Sequence, residues 1–387
     1  MKLLHVAASY LPAVRYGGTI VSVHALCRAL ARRGHQVHVY TTSVDGDGNS
    51  AVPHGVPVAI DGVTVWYFES QHLRRIYRSP ALGAALRQHV SEFQLVHTHA
   101  IYLWPLWTAA REARRAGVPY VVSPRGMLEK ALIEQKSAWM KASLIGFIEK
   151  RTLEGAASVH VTSRREEQEA RRFGFNLPDV RTIPNGVDSD AAAAGVMSPM
   201  IAQIIDDGPF MLFLGRLNWK KGLDRLIAAL ATTADVRLVI AGNDEDGYRS
   251  TLERLAATAG VSRRLVFAGA VHGADKHALM AAARALVLPS YSENFGNVVL
   301  EAMAAGRPVI VTPEVGVSDL VRETGAGLVV DGSSATLGPA LQTLTADAMV
   351  GDAMGARGRA AAQRYSWDSV AAQMEALYQS VLDRARC

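Results

Sequence analysis

The sequence predicts an α/β fold made of two doubly wound domains, each a parallel sheet with helices on both faces. Three observations carry this. Short Val/Ile/Leu-rich runs alternate with helical stretches along the whole chain, the pattern of strands buried on both sides. The 387 residues suffice for two domains of ordinary size. The composition is 49% hydrophobic but only 7% aromatic, with 33 glycines, which favours α/β layers over an all-β sandwich.

In the first half the runs predict strands at Lys2–Ala7, Gln36–Thr41, Val63–Phe68, Leu95–His99, Tyr120–Ser123 and Ser158–Thr162. Helices lie between them, among them Thr19–Arg33 and Leu103–Ala116, both closed by a glycine as a left-handed cap prefers. The second half predicts strands at Phe210–Leu214, Arg237–Ala241, Leu265–Ala268, Ala285–Leu288, Pro308–Val311 and Gly327–Val330, with a helix at Leu223–Ala231. The turn-rich stretch Asn185–Pro209 marks the junction. Ligands of such sheets sit at the carboxyl ends of strands, so candidate residues should follow strands.

Charge is uneven. Residues 1–190 carry 23 Lys and Arg against 16 Asp and Glu, a net +7, and the remainder 18 against 20, a net −2. The basic half suits an anionic membrane surface or a phosphorylated acceptor. Its arginines are dispersed without aromatic interleaving, which argues against nucleic acid. The two cysteines, Cys27 and Cys387, stand at opposite ends and form neither a disulfide framework nor a metal motif, as in a reducing cytoplasm. The start, MKLLHVAASYLP, is too short and interrupted for a signal peptide, and no apolar run is long enough to span a membrane. A cytoplasmic protein is expected.

The most informative stretch is SENFGNVVLEAMAAG, which follows the apolar run Ala285–Pro289. A strand ending near Ser290, a glycine turn and a helix opening near Gly296 make an anion site, because unpaired N–H groups point outward there. Glu293 and Glu301 stand beside it. Carboxylates next to phosphates make sense as acceptors for neutral hydroxyls, and a ligand with both phosphates and hydroxyls is a nucleotide sugar. A helix-dipole role for the two glutamates is the plainer alternative. The segment Gly215–Gly222 places Arg216 and Lys221 in another strand-to-helix turn, where a forked guanidinium and an ammonium can neutralise a diphosphate without a metal.

Elsewhere the sequence leaves alternatives. Gly17 and Gly18 form either a tight turn or a loop approaching a ligand. His97 and His99 point to one side of a strand, either as structural histidines or at the edge of a site. No third ligand accompanies them, so no metal is expected. Arg125 binds a phosphate or makes a loop salt bridge. The basic, apolar segment Lys130–Arg151 rests on a membrane surface or packs between domains. Asp45-Gly46-Asp47 reads as turn chemistry.

Arg216 and Lys221, followed by Glu293 and Glu301 with seven residues between the two glutamates, resemble the donor site of the retaining family 4 glycosyltransferases. Gly17-Gly18, His97-Thr98-His99, Ile183-Pro184-Asn185-Gly186-Val187-Asp188 and Tyr365-Ser366-Trp367 match the same family in order, over nearly the whole chain. The resemblance implies a GT-B fold, two Rossmann-like domains facing across a cleft. Residues 1–190 would form the acceptor side, 191–365 would hold the nucleotide sugar, and 366–387 would be a helix packing back on the first domain. It further implies that Arg216 and Lys221 bind the diphosphate, that Glu301 holds the ribose and that Glu293 lies beside the donor sugar. Asn294, Phe295 and Gly296 would offer N–H groups, Gly242 and His272 would lie near the base, and His99 would touch the sugar. Gly17 and Gly18 would close over the donor, and Arg125 would serve the acceptor side. The implied reaction moves a hexosyl group with retention from a GDP- or UDP-linked sugar, with no metal or other cofactor. The basic first half and the missing export signal point to an acceptor hydroxyl on a lipid-linked glycan, polyprenyl-diphosphate-linked, in polysaccharide synthesis at the inner membrane face. An epimerase of the same fold, needing no acceptor, and a non-catalytic carbohydrate-binding protein are the competing readings; the charged set Arg216 and Lys221 argues against the second.

Overall fold

The computed structural model describes residues 1–14, 17–128, 140–188, 195–244 and 247–386; the side chains of 140–145 also lie outside the description. Much of the expected helix Lys130–Arg151, including Lys130 and Lys136, and the terminal Cys387 therefore fall outside it. Cys27 is buried with a free thiol.

The chain forms two units, Met1–Gly186 with Trp367–Cys387, and Val187–Ser366. The sequence boundaries of 190 and 365 stand four residues and one residue from these crossings. At the crossings the chain passes itself closely: a Cβ on Gly186 would lie 2.6 Å from the Trp367 ring, so only glycine fits there. One residue on, Val187 N–H donates to Tyr365 O at 2.8 Å.

The first unit runs β1 (Lys2–Ala7), α1 (Gly18–Arg32), β2 (Gln36–Thr42), β3 (Val44–Asp45), β4 (Gly48–Asn49), β5 (Pro57–Ile60), β6 (Val63–Phe68), α2 (Pro80–His89), β7 (Leu95–His99), α3 (Trp104–Arg115), β8 (Tyr120–Ser123), α4 (Met140–Glu154), β9 (Ser158–Val161), α5 (Arg164–Arg172) and β10 (Val180–Thr182). Its sheet has the order β10-β9-β8-β7-β1-β2-β6-β5. All pairs are parallel except β5 with β6. Three features escape sequence reading: β5, whose residues are half-buried or exposed at the sheet edge, β10, which carries exposed Arg181 and Thr182, and the small hairpin of β3 and β4. None has the buried apolar run that marks an interior strand. Asp45-Gly46-Asp47 is the turn of that hairpin.

Side chains alternate across the sheet. Leu4 and Val6 enter one apolar cluster, with Val96, while Leu3 enters the other, with Leu95. His5, His97 and His99 follow the parity of Leu3 and Leu95, and the register pairs His5 with His97 and Ala7 with His99.

The second unit runs α6 (Pro199–Asp206), β11 (Met211–Leu214), α7 (Leu223–Ala231), β12 (Leu238–Ala241), α8 (Tyr248–Thr258), β13 (Leu265–Gly269), α9 (Gly273–Ala282), β14 (Ala285–Leu288), α10 (Asn297–Ala304), β15 (Val309–Val311), α11 (Ser318–Thr324), β16 (Gly327–Val329), α12 (Ser334–Ala346) and α13 (Ala348–Ala362). Its sheet is wholly parallel, in the order β13-β12-β11-β14-β15-β16. The four residues of each of β11, β12 and β14 are buried, which explains their unbroken apolar runs.

The chain then returns as α14 (Trp367–Arg386) to the first unit. Its apolar stripe of Val370, Met374, Leu377, Tyr378 and Val381 joins the cluster that holds Leu3 and Leu26. Arg32 with Asp368 and Arg33 with Glu375 flank the contact with α1; exposed pairs of this kind add register more than stability.

Candidate functional site

In the second unit β11 pairs with β12 on one side and β14 on the other, so the direction of winding reverses between β11 and β14. Loops leaving such neighbouring strands diverge and open a crevice at their carboxyl ends. Arg216 and Lys221 follow β11; Glu293 follows β14. The ammonium of Lys221 donates to Glu293 Oε2, and both side chains are under one-fifth exposed, at 16% and 19%. Arg216 stands half-buried in the same turn as Lys221. The turn is tight. Gly222, at φ +67°, leaves no room for a side chain, since a Cβ would stand 2.0 Å from Pro289 O.

The loop after β14 is anchored by backbone bonds: Gly316 N–H donates to Glu293 O at 2.9 Å and Val317 N–H to Phe295 O at 3.0 Å. Phe295 is buried and holds the loop from below. α10 opens at Gly296, whose φ is +93° and which brings no side-chain cap. The first N–H groups of a helix have no intrahelical acceptor, and Asn294–Gly296 lead into this helix start. Glu301 lies one turn further along and pairs with Lys276 of α9 at 2.7 Å. Lys276 is a residue that sequence reasoning missed, because nothing in GADKHALM sets it apart from a solvated helix face. His272 is the N-cap residue of α9, and Gly242 follows β12 with its N–H on Gly269 O.

The first unit has its own reversal, between β1 and β7. There the sequence reading needs correction: β1 supplies the third histidine that it did not find. Among the described residues, His5, His97 and His99 place one ring nitrogen each within 4.8 Å of the others. Hydrogen bonds engage the ring nitrogens of His97 and His99 and one of the two of His5. His160 Nε2–H donates to Ile183 O at 2.9 Å, so its Nδ1 accepts from Ser123 Oγ at 2.6 Å. Ser123 Oγ in turn accepts from His97 Nε2–H at 2.7 Å, and His97 Nδ1 accepts from Tyr378 O–H at 2.6 Å. A second chain starts at Arg125, which donates to His99 Nδ1 at 3.2 Å. His99 Nε2–H then donates to His5 Nδ1 at 2.9 Å, leaving His5 Nε2 buried without a partner. The direction of each bond follows from the donor inventory of neutral imidazole. The Arg125 guanidinium on His99 and the engagement of both nitrogens of His97 and of His99 suit this relay better than a cation. His99 is 2% exposed, with both nitrogens engaged inside the unit, so a sugar would reach it only by replacing one of these bonds. Arg125 takes φ +55° and also donates to Asn185 Oδ1 at 2.9 Å. Gly17, at φ +83°, is the N-cap residue of α1, and Gly18 its first residue.

Comparison with known proteins decides the family. Residues 16–191 match the family described as "Glycosyltransferase Family 4", and residues 200–360 match "Glycosyl transferases group 1". A D-inositol 3-phosphate glycosyltransferase of Xylanimonas cellulosilytica is 30% identical over 400 residues, covering 95% of this chain and 93% of the relative. The chain belongs to the family 4 glycosyltransferases. A phosphatidyl-myo-inositol mannosyltransferase of Mycobacterium leprae is also 30% identical, over 380 residues, covering 94% and 93%. The fold matches a sucrose-phosphate synthase of Thermosynechococcus elongatus at TM-score 0.77 and 23% identity, over 99% and 100% of the two chains. It also matches Anabaena HepE in complex with UDP-glucose at 0.76 and 22%, over 98% and 100%. The fold is therefore GT-B, and the protein is a glycosyltransferase that uses a nucleotide sugar.

One buried carboxylate of this glycosyltransferase has no sequence signal. Glu149 of α4 is 1% exposed. Its Oε1 accepts the Tyr102 backbone N–H at 2.5 Å and the Trp107 indole N–H, while Oε2 has no partner. Burial pushes its pKa up to about 7, against those two donors. The folded state then holds a proton that the unfolded state releases from about pH 4.5 upward, so this group's contribution to stability falls as pH rises from there to about 7. Glu149→Gln should accordingly be more stable than the parent at pH 8 by about 3 kcal/mol. The gap should close as pH approaches 4.5, read by thermal unfolding at both values; equal parent and variant at pH 8 would refute it.

Proposed function

We propose that this glycosyltransferase moves a hexosyl group from a GDP- or UDP-linked sugar, with retention, to a hydroxyl of a lipid-linked glycan in polysaccharide synthesis. The observation that carries the donor half is Lys221 and Glu293 meeting at the winding reversal of the second sheet, beside the uncapped start of α10. In this reading Arg216, Lys221 and the first N–H groups of α10 take up the negative charge that grows on the leaving diphosphate. That is the charge an oxocarbenium-like departure creates. The departing phosphate removes the proton of the incoming hydroxyl on the same face. Glu293 holds a hydroxyl of the donor sugar in place of the Lys221 ammonium, Glu301 holds the ribose, and no metal is required. His99 and Arg125 serve the sugar and an acceptor phosphate from the first unit.

Support for a lipid-linked acceptor comes from the first unit. A groove of about 640 Å³ between α3 and α4 is lined by Trp104, Trp107 and Phe147 together with Arg111, Arg114 and Arg151. Phe147 is 69% exposed. Apolar rings framed by arginines suit an anionic amphiphile at a membrane surface, such as a polyprenyl diphosphate at the inner face of the cell membrane. The names of the two relatives add inositol-based acceptors to the candidates. No described helix is long and apolar enough to cross a membrane.

Thermal unfolding in EDTA with UDP and GDP separately tests the donor half. A ligand at a hundred times its dissociation constant should add about 2.7 kcal/mol. Stabilisation by UDP points to a gluco- or galacto-configured donor and by GDP to a manno-type donor; no shift with either rejects the donor reading. Flotation with anionic against neutral vesicles tests the membrane half, with equal recovery in both rejecting it.

A further inference from the structure

The carboxyl edge of the second sheet carries another depression, of about 480 Å³, that Lys221 and Glu293 do not line. Asp224 and Arg225, in the first turn of α7, form one wall. Asp331, Gly332 and Ser333, between β16 and α12, and Ser334, the first residue of α12, form the other. Ala228 supplies the one apolar side chain of the lining. Gly332, at φ +81°, brings the two walls together: a Cβ there would meet Arg225 Nη1 at 2.9 Å.

The groups are held in place. Tyr291 O–H donates to Asp224 Oδ2 at 2.7 Å, and the Arg225 guanidinium lies 3.6 Å from the centroid of the Tyr291 ring. Asp224 Oδ1 is buried with no partner. Asp331 Oδ1 accepts the Ser333 N–H at 2.9 Å and the Thr336 hydroxyl at 2.5 Å. Tyr291 links this depression to the donor turn. Its N–H donates to Lys220 O at 2.8 Å. Its ring lies 6.3 Å from Trp219 at 42°, and Trp219, two residues before Lys221, is 49% exposed.

The chemistry of the lining narrows the occupant. Two carboxylates disfavour an anion, and a guanidinium disfavours a cation. The near absence of apolar side chains disfavours a lipid tail or a peptide anchor. A neutral ligand remains that donates to carboxylates, accepts from a guanidinium and exchanges hydrogen bonds with hydroxyls. We infer that this depression is a second subsite for a neutral polyhydroxylated six-membered ring, a pyranose or a cyclitol, separate from the donor-phosphate site. A ring seated there lies on the same sheet edge as Lys221, so the subsite anchors part of a glycan or cyclitol acceptor away from the reacting centre. Binding energy gained remote from the reaction then serves positioning.

Methyl mannoside, methyl glucoside and myo-inositol, each titrated against the protein by saturation-transfer NMR in saturating UDP or GDP, test the subsite. At least one should bind saturably: the glycosides if the natural occupant is a pyranose, inositol if it is a cyclitol. Ala228→Phe, at an exposed helical position on the lining, should weaken that binding about tenfold or more, equivalent to about 1.4 kcal/mol. Its thermal shift with the nucleotide should remain that of the parent. Asp224→Asn keeps an acceptor for the Tyr291 hydroxyl and should also weaken the ring's binding, which guards against a folding defect in the first variant. Saturation by none of the three probes, or equal affinity in both variants, overturns the subsite. Loss of the nucleotide shift in the parent itself would instead count against the donor site, so the two readings fail separately.

Discussion

Lys221→Ala is expected to lower kcat/KM by about 10²- to 10³-fold, the loss seen when one donor to a developing oxyanion is removed. The thermal midpoint should move little. The reason lies in the pair itself: Lys221 and Glu293 meet at the winding reversal of the second sheet, yet each keeps part of its side chain open to solvent. Removing the ammonium leaves Glu293 without its counter-charge in a half-enclosed site, which adds repulsion against an incoming diphosphate. Lys221→Ala with Glu293→Gln removes that repulsion and should recover nucleotide binding more than turnover. A split of this kind separates charge stabilisation in the transition state from ground-state binding. Activity of Lys221→Ala within about threefold of the parent, too small a change for an oxyanion donor, would reject the assignment of Lys221 to the leaving group.

Acid should destabilise the first unit steeply. Burial lowers the pKa of His5 and of His160 to about 3, each helped by the nearby Arg125 guanidinium. Burial also holds His97 and His99 well below the usual imidazole range. Below about pH 6.5 the unfolded chain takes up protons on these four histidines that the folded chain refuses. With up to four protons at stake, stability should fall by as much as about 5 kcal/mol per pH unit once the unfolded histidines are fully protonated. The thermal midpoint should thus drop sharply between pH 7 and pH 5. His160→Asn, which cannot titrate, should lessen the drop. A midpoint equal at the two pH values would show that the relay accepts protons and that the bond directions given above are wrong.

The four histidines also show where sequence reading ends. His97 and His99 stand out as a pair because they are two apart on a strand, and strand periodicity puts them on one face. His5 lies 92 residues before His97 and carries no mark until the parallel register of β1 and β7 sets it opposite. His160 and Tyr378 are further still along the chain, one on β9 and the other on a helix that returns from beyond the second unit. Glu149 and Lys276 behave in the same way. Each is an unremarkable charged residue of a helix, given its environment by what packs over it.

The strands are another matter. The boundaries of β1, β6, β7, β8 and β14 coincide with the expected ones; β8 and β14, buried throughout, are apolar at nearly every position, as strands covered on both faces must be. The edge strands β5 and β10 break that rule and were invisible. Glycine and charge in the strand-to-helix turns were equally legible, so Arg216, Lys221, Glu293 and Gly296 could be placed at carboxyl ends of strands from local pattern alone. This local layer is legible in the residues alone: the rhythm of strand and helix, the turns that follow strands, and the family to which their order belongs. Partnership emerges with the packing of the folded chain: Lys221 with Glu293, Glu301 with Lys276, and His99 with His5 and Arg125. Periodicity and turn chemistry act over a few residues, whereas the desolvation and hydrogen bonding that give a side chain its charge state depend on neighbours brought together by sheet order.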